Sequence, residues 1–199
     1  MIEYKKNLVE ILASFALYWS MASILYFIPA LKSGPLTYYL FLPAAMKLFA
    51  ILIFRWRAVI GVSLAVLSRL ELVAPDEPMM SWLIVAVFST LAIYLVIELS
   101  LKLLRIHRDL SNLKYLQVVI LALLASLTNG FTFSFGVSHL TDMRVGENIF
   151  HGGFLAGVGS FTGNALVVCL LILILKHKTS ILNLINTMKK KASLYRYVR

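Results

Sequence analysis

The chain has 199 residues, of which 60% are apolar and 14% charged, and its mean hydropathy is +0.86. A soluble domain carries roughly 25% charged residues. This composition therefore excludes an ordinary soluble enzyme or binding domain and predicts an all-α polytopic membrane helix bundle. A net charge of +10 would suit nucleic acid, but the cations flank apolar runs. They are assigned to membrane orientation, with lipid rather than nucleic acid as the partner.

Taken in order, helix one is predicted from about Leu8 to Leu31, roughly 24 residues and long enough to cross a ~30 Å core. Its length reads as a retained helix rather than a cleavable signal. Lys32-Ser33-Gly34-Pro35 follows as a tight turn. Helix two is predicted from about Leu36 to Phe54, with a kink at Pro43, which lacks a backbone donor. Lys47 lies inside this span, and Arg55-Trp56-Arg57 closes it.

Helix three is predicted from about Ala58 to Val73, with Arg69 and Glu71 near its exit, and Ala74 to Pro78 form an acidic, proline-bounded loop. Helix four runs from about Met79 to Leu101 and carries Glu98 near its end. Lys102 to Lys114 is a polar connector. Helix five starts at Tyr115, and the dipeptide Asn129-Gly130 predicts a break near mid-membrane. A polar loop is expected from Val137 to Phe150.

Helix six, His151 to Lys176, opens with glycines and ends in a continuous apolar run. Gly153 and Gly157 are four apart, as are Gly159 and Gly163. That spacing predicts a groove where another backbone packs closely. Cys169 is the single cysteine, so no internal disulfide forms. The expected domains are a membrane bundle over residues 1–178 and a basic amphipathic tail over 179–199. In that tail Ile181, Leu184, Ile185, Met188, Ala192 and Tyr195 share a face suited to the inner leaflet or, alternatively, to a partner helix.

About six crossings put both termini on one side. Lys5, Lys6, Arg55, Arg57, Lys102, Arg105, Arg108 and Lys114 fall on that side, against Lys32, Arg69 and Arg144 on the other. The positive-inside rule then places both termini in the cytoplasm.

Candidate ligand-binding residues are the polar groups at membrane depth: Lys47, Glu98, Asn129 and Asn164. An intramembrane charge costs about 3 kcal/mol or more. Lys47 either snorkels to the headgroups or faces inward, with Glu98 and Asn164 as neighbours. Asn129, Thr132, Ser134 and Asn164 form a polar seam between helices five and six, which lines a cavity or makes interhelical hydrogen bonds.

On the outer face His139, Asp142, Glu147 and His151 lie close in sequence, but none has a diagnostic ligand spacing, and no metal is assigned. His107-Arg108-Asp109 spells the kinase catalytic tripeptide without the other kinase motifs. No nucleophile–base pair, phosphate loop or paired carboxylates fall within one pocket. Neither enzymatic activity nor a cofactor is expected.

Leu42-Pro43-Ala44-Ala45-Met46-Lys47-Leu48, continuing to Phe54-Arg55-Trp56-Arg57, resembles the second-helix motif of bacterial membrane-associated sensor domains of the first type. Phe161-Thr162-Gly163-Asn164-Ala165-Leu166 is similar to that family's last-helix signature. The nearest texture is the membrane part of sugar-phosphate sensor kinases. Asn164 stands where the family has an acid, and Val167 where it has a second glycine. The resemblance implies a multi-helix inner-membrane sensor that signals to cytoplasmic kinase or cyclic-dinucleotide domains. No output domain follows in this sequence, so the expected function is a sensor-type or interaction module that relays through a partner protein. The alternative is a small transporter or its substrate-binding subunit.

Overall fold

A backbone surrounded by lipid must pair its own N–H and C=O groups, and a helix does so within one segment. The long apolar runs of this chain accordingly become helices. The computed structural model describes residues 2–34, 36–143, 145, 146 and 148–176. Among them are α1 (Ile2–Phe27), α2 (Pro43–Phe54), α3 (Trp56–Val73), α4 (Met79–Leu103), α5 (Tyr115–Leu140) and α6 (Ile149–Lys176), with a 3-10 turn at Pro29–Leu31 and no named strand. Glu3–Phe27, Met79–Leu103, Tyr115–Leu140 and Ile149–Leu173 are long and apolar enough to cross a membrane. The protein is a helical membrane protein.

By packing, the chain divides into residues 1–165, described below, and a second unit from Leu166, whose described part is the last stretch of α6. The basic tail expected over 179–199 lies outside the described residues. Within the first unit α1 packs on α2 and α3, α3 on α4, and α4 on α5. Tyr18, Leu48, Ile51, Val62, Trp82 and Ile93 are buried at their meeting. Leu95, Leu99, Phe154 and Leu116 point outward, an apolar exterior that suits acyl chains. At Gly61 a β-carbon would run into the carbonyl of Ile11, so α1 and α3 cross at backbone distance.

Helix two is shorter than the hydropathy predicts, because residues 36–42 are not helical. Pro43 sits in the first turn of α2, where its missing N–H costs nothing. A helix continued upstream would drive the proline ring against the carbonyl of Tyr39. That carbonyl instead accepts a hydrogen bond from Thr162 Oγ1 at 2.6 Å. The expected kink is thus a helix start. Upstream, Tyr39 N donates to Leu31 O at 2.9 Å and Ser33 N to Thr37 O at 3.0 Å, a small hairpin-like loop.

Helix five shows the opposite departure. It runs unbroken through Asn129-Gly130. In water Asn competes for nearby backbone groups and favours turns. Here its amide is occupied by Lys47 and Ser160. Gly130 lies against Gly153 and Gly157 of α6, where a β-carbon would strike the Gly153 carbonyl. The polar loop after α5 is also shorter than expected, since α5 reaches Leu140 and α6 starts at Ile149.

The glycine face of α6 therefore meets two different neighbours. Gly153 and Gly157 receive α5. Gly159 and Gly163 receive the non-helical segment, where β-carbons would collide with the carbonyls of Tyr38 and Phe41. Phe41 N donates to Gly159 O at 2.8 Å, so the segment is bonded to α6 through its backbone.

Candidate ligand-binding site

The non-helical segment forms one wall of a cavity. Leu36, Thr37, Tyr38 and Phe41 line it, facing Tyr18 of α1, Lys47 of α2, Val66 and Arg69 of α3, Asn129 and Phe133 of α5, and Ala156 and Ser160 of α6. The empty volume is about 390 Å³, including the part open to the outside. The open space is narrow, so the site has room for a small group and not for a bulky ligand. Irregular backbone at membrane depth is tolerated where it is buried in protein or lines a cavity; Leu36, Thr37 and Tyr38 are buried and line the cavity, while Tyr39 is exposed.

Lys47 points inward. Only 4% of the residue is exposed. Its Nζ donates to Asn129 Oδ1 at 3.0 Å, and Asn129 Nδ2 donates to Ser160 Oγ at 3.0 Å. This relay joins α2, α5 and α6 through polar atoms. The Tyr18 ring lies 5.9 Å from Nζ. Asn164 is one step further in. Its Nδ2 donates to Ser126 Oγ at 2.8 Å, and it borders a smaller cavity shared with Lys47 and Asn129.

Glu98 is not in this group. It accepts from Arg55 Nη1 at 3.2 Å, at the corner between α2 and α3. The inward Lys47 thus has no carboxylate partner in Glu98. Arg55 pairs with that acid where water reaches both, with 21% and 28% of the two side chains exposed, so less desolvation opposes pairing.

The residue that sequence reasoning missed is Arg69. Only 3% of it is exposed, and its guanidinium lies 5.1 Å from the Tyr38 ring and 5.0 Å from the Phe41 ring. Its position was legible: Ala58, Val62, Ala65 and Val66 form the buried face of α3, and Arg69 follows Val62 by two helical turns. Counting it as an outer-face cation hid it. Glu71, two residues on, stands roughly 200° round the helix.

Ion pairs among the described residues are Lys6–Glu10, Arg57–Glu10 and Arg55–Glu98, and neither Lys47 nor Arg69 takes part in one. Arg69 Nη2, Tyr18 Oη and Asn164 Oδ1 are buried without a hydrogen-bond partner among those residues. A buried charge stripped of its partner costs about 3–5 kcal/mol. Two like charges around one cavity are a large local liability, which an anion would relieve.

Thr132 and Ser134 serve structure. Thr132 Oγ1 bonds to Thr128 O at 2.6 Å, and Ser134 Oγ donates to Ile149 O at 3.0 Å across to α6. On the outer-face cluster, His139 Nδ1 lies 2.9 Å from the carbonyl of Phe135 and its ring stacks on Phe135. Glu147 lies outside the described residues. Among the described residues no three His, Cys, Asp or Glu side chains converge. In the connector after α4, Asp109 Oδ1 accepts from Ser111 N at 3.1 Å and Ser111 Oγ at 2.8 Å. The His107-Arg108-Asp109 tripeptide thus supplies a turn.

The chain gives no match to any family model, to the curated proteins or to the solved structures.

Proposed function

We propose that the protein is a sensor-type module of a bacterial inner membrane. It crosses about six times with both termini cytoplasmic, binds a small ligand or partner in the Lys47–Arg69 cavity, and relays through another protein. The observation that carries this reading is a polar cavity inside an apolar bundle, walled by a chain segment that is hydrogen-bonded to α6. A ligand touching Tyr38 or Phe41 acts on that segment and, through Phe41 N and Thr162, on the last helix.

The resemblance to membrane-associated sensor domains supports the same reading. Its two motif stretches, Leu42 to Leu48 and Phe161 to Leu166, come together: a β-carbon at Gly163 would strike the carbonyl of Phe41 and stand 3.0 Å from Leu42 N. A second reading, a small transporter, is favoured by the non-helical segment itself, since discontinuous helices build the midplane sites of many transporters.

Tagged protein purified from its native membrane should carry a kinase or a cyclic-dinucleotide enzyme, and Lys47→Met should change that enzyme's output. Co-purification of an ATPase module, or solute uptake into vesicles containing the purified chain alone, would replace the sensor reading with the transporter.

A further inference from the structure

We infer that the cavity between Tyr18, Tyr38, Lys47 and Arg69 binds a compact oxyanion, a phosphate or carboxylate group, which bridges the two buried cations. This rests on the reading of the cavity as a ligand site and adds the chemical class of what fills it.

The donors carry the argument. The Arg69 guanidinium stands beside the Tyr18 and Tyr38 hydroxyls, yet its Nη2 and the Tyr18 Oη complete no hydrogen bond among the described residues. An ammonium has three N–H donors. The Lys47 ammonium gives one to Asn129, which leaves two. Each of these side chains is at least 96% buried and lines the same cavity. Donors converging from α1, α2 and α3 suit a ligand with several acceptor oxygens in a small volume.

A halide offers a charge but does not match the planar fork of a guanidinium, which pairs two-point with carboxylate or phosphate. Tyr38 and Phe41 lie on the guanidinium and hold its plane. No carboxylate of the described chain completes the site, as the ion pairs at Glu10 and Glu98 lie elsewhere. The same oxyanion chemistry is available from a free aqueous anion and from the headgroup of an anionic lipid.

The full chain, purified in an uncharged detergent, is melted with increasing sodium phosphate and with sodium chloride of equal ionic strength. It is also melted in mixed micelles containing phosphatidylglycerol or phosphatidylcholine. Wild type, Lys47→Met and Arg69→Lys are compared. A saturable rise of roughly 5 to 10 °C in phosphate near 100 times its Kd, absent in chloride and lost in Lys47→Met, supports a free oxyanion. The same Lys47-dependent rise with phosphatidylglycerol, but not with phosphate or phosphatidylcholine, supports the headgroup source.

Arg69→Lys retains the buried charge and should keep the fold while losing the fork, so its midpoint concentration should rise about tenfold. This variant remains informative if Lys47→Met does not fold. Stabilisation by neither probe, or equal stabilisation of wild type and both variants, overturns the inference. A chain that co-purifies with a kinase yet ignores both probes loses the oxyanion and keeps the sensor reading.

Discussion

Arg55, Arg105 and Leu110 hold positive φ angles of 56°, 51° and 60°, a region that side-chain-bearing residues enter at a cost of about 1–3 kcal/mol each. All three stand in the two connectors that follow α2 and α4, and hydrogen bonds hold them. Arg55 Nη1 reaches Glu98 and its Nη2 donates to Arg108 O at 3.1 Å. The carbonyl of Arg105 accepts from Asn112 Nδ2 at 2.9 Å. Glu98, expected near Lys47, thus braces a strained corner.

Asp109 belongs to the same connector. The backbone N–H and hydroxyl of Ser111 hold its carboxyl below the ordinary value of 3.8. A depressed carboxylate supports the turn above its unfolded titration point, and that support fades as pH falls through the lower, folded one. The Asp109 carboxyl should therefore titrate below 3.8 in a carbon-detected NMR titration, and Ser111→Ala should move the midpoint upward. An unchanged midpoint in Ser111→Ala would show that the hydroxyl does not contribute and that the retained backbone N–H alone sets the titration.

At the scale of elements, the junction of α2 and α6 turns on one hydroxyl. Thr162 Oγ1 donates to the carbonyl that Pro43 leaves without a helical N–H. Thr162→Val keeps the shape and removes the donor, which should destabilise the protein by about 0.5–1.5 kcal/mol, the net contribution of one hydrogen bond. Thr162→Ser should restore most of it. Thermal melting in detergent reads both, and equal melting of the Val and Ser variants would remove the hydroxyl from the account.

The same junction explains what the sequence revealed and what it hid. Helices α3 and α4 were legible because apolar runs end at Arg57 and at the Pro75–Pro78 loop, so composition and boundary agree. Residues 36–42 misled because an apolar segment bonded to a glycine face has the hydropathy of a helix. Asn129-Gly130 misled because the turn preference of that pair presumes water. Lys47, Asn129 and Asn164 were legible as polar groups in apolar spans, and they border one small cavity. Arg69 was hidden by its place near a helix end, where charge alone suggests an exposed anchor.

For the molecule as a whole, the proposed topology makes a plain statement. Reporter fusions at Lys114 and Arg199 should report cytoplasm, and a fusion at Glu77 the periplasm. A periplasmic signal at Arg199 would sink the six-crossing arrangement, whatever the cavity binds. In that arrangement Arg69 and the 36–42 segment belong to the outer half of the membrane, and Glu10, Arg57, Arg55 and Glu98 form ion pairs at the inner edge.

The short second helix has a bearing on how the protein is made. Twelve residues give α2 a length of about 18 Å, well under the ~30 Å of a hydrocarbon core. In the proposed six-crossing arrangement residues 36–42 complete the second crossing, and their Phe41 amide and Tyr39 carbonyl are paired, among the described residues, by Gly159 and Thr162. During synthesis those partners emerge long after the segment they serve. Until they arrive, the early part of the chain holds unpaired backbone in or beside lipid, a state that cannot mature by itself. The last helix is therefore the piece that closes the structure. A nascent chain halted before α6 would present residues 36–42 to quality-control proteases, while its five earlier helices were already in place.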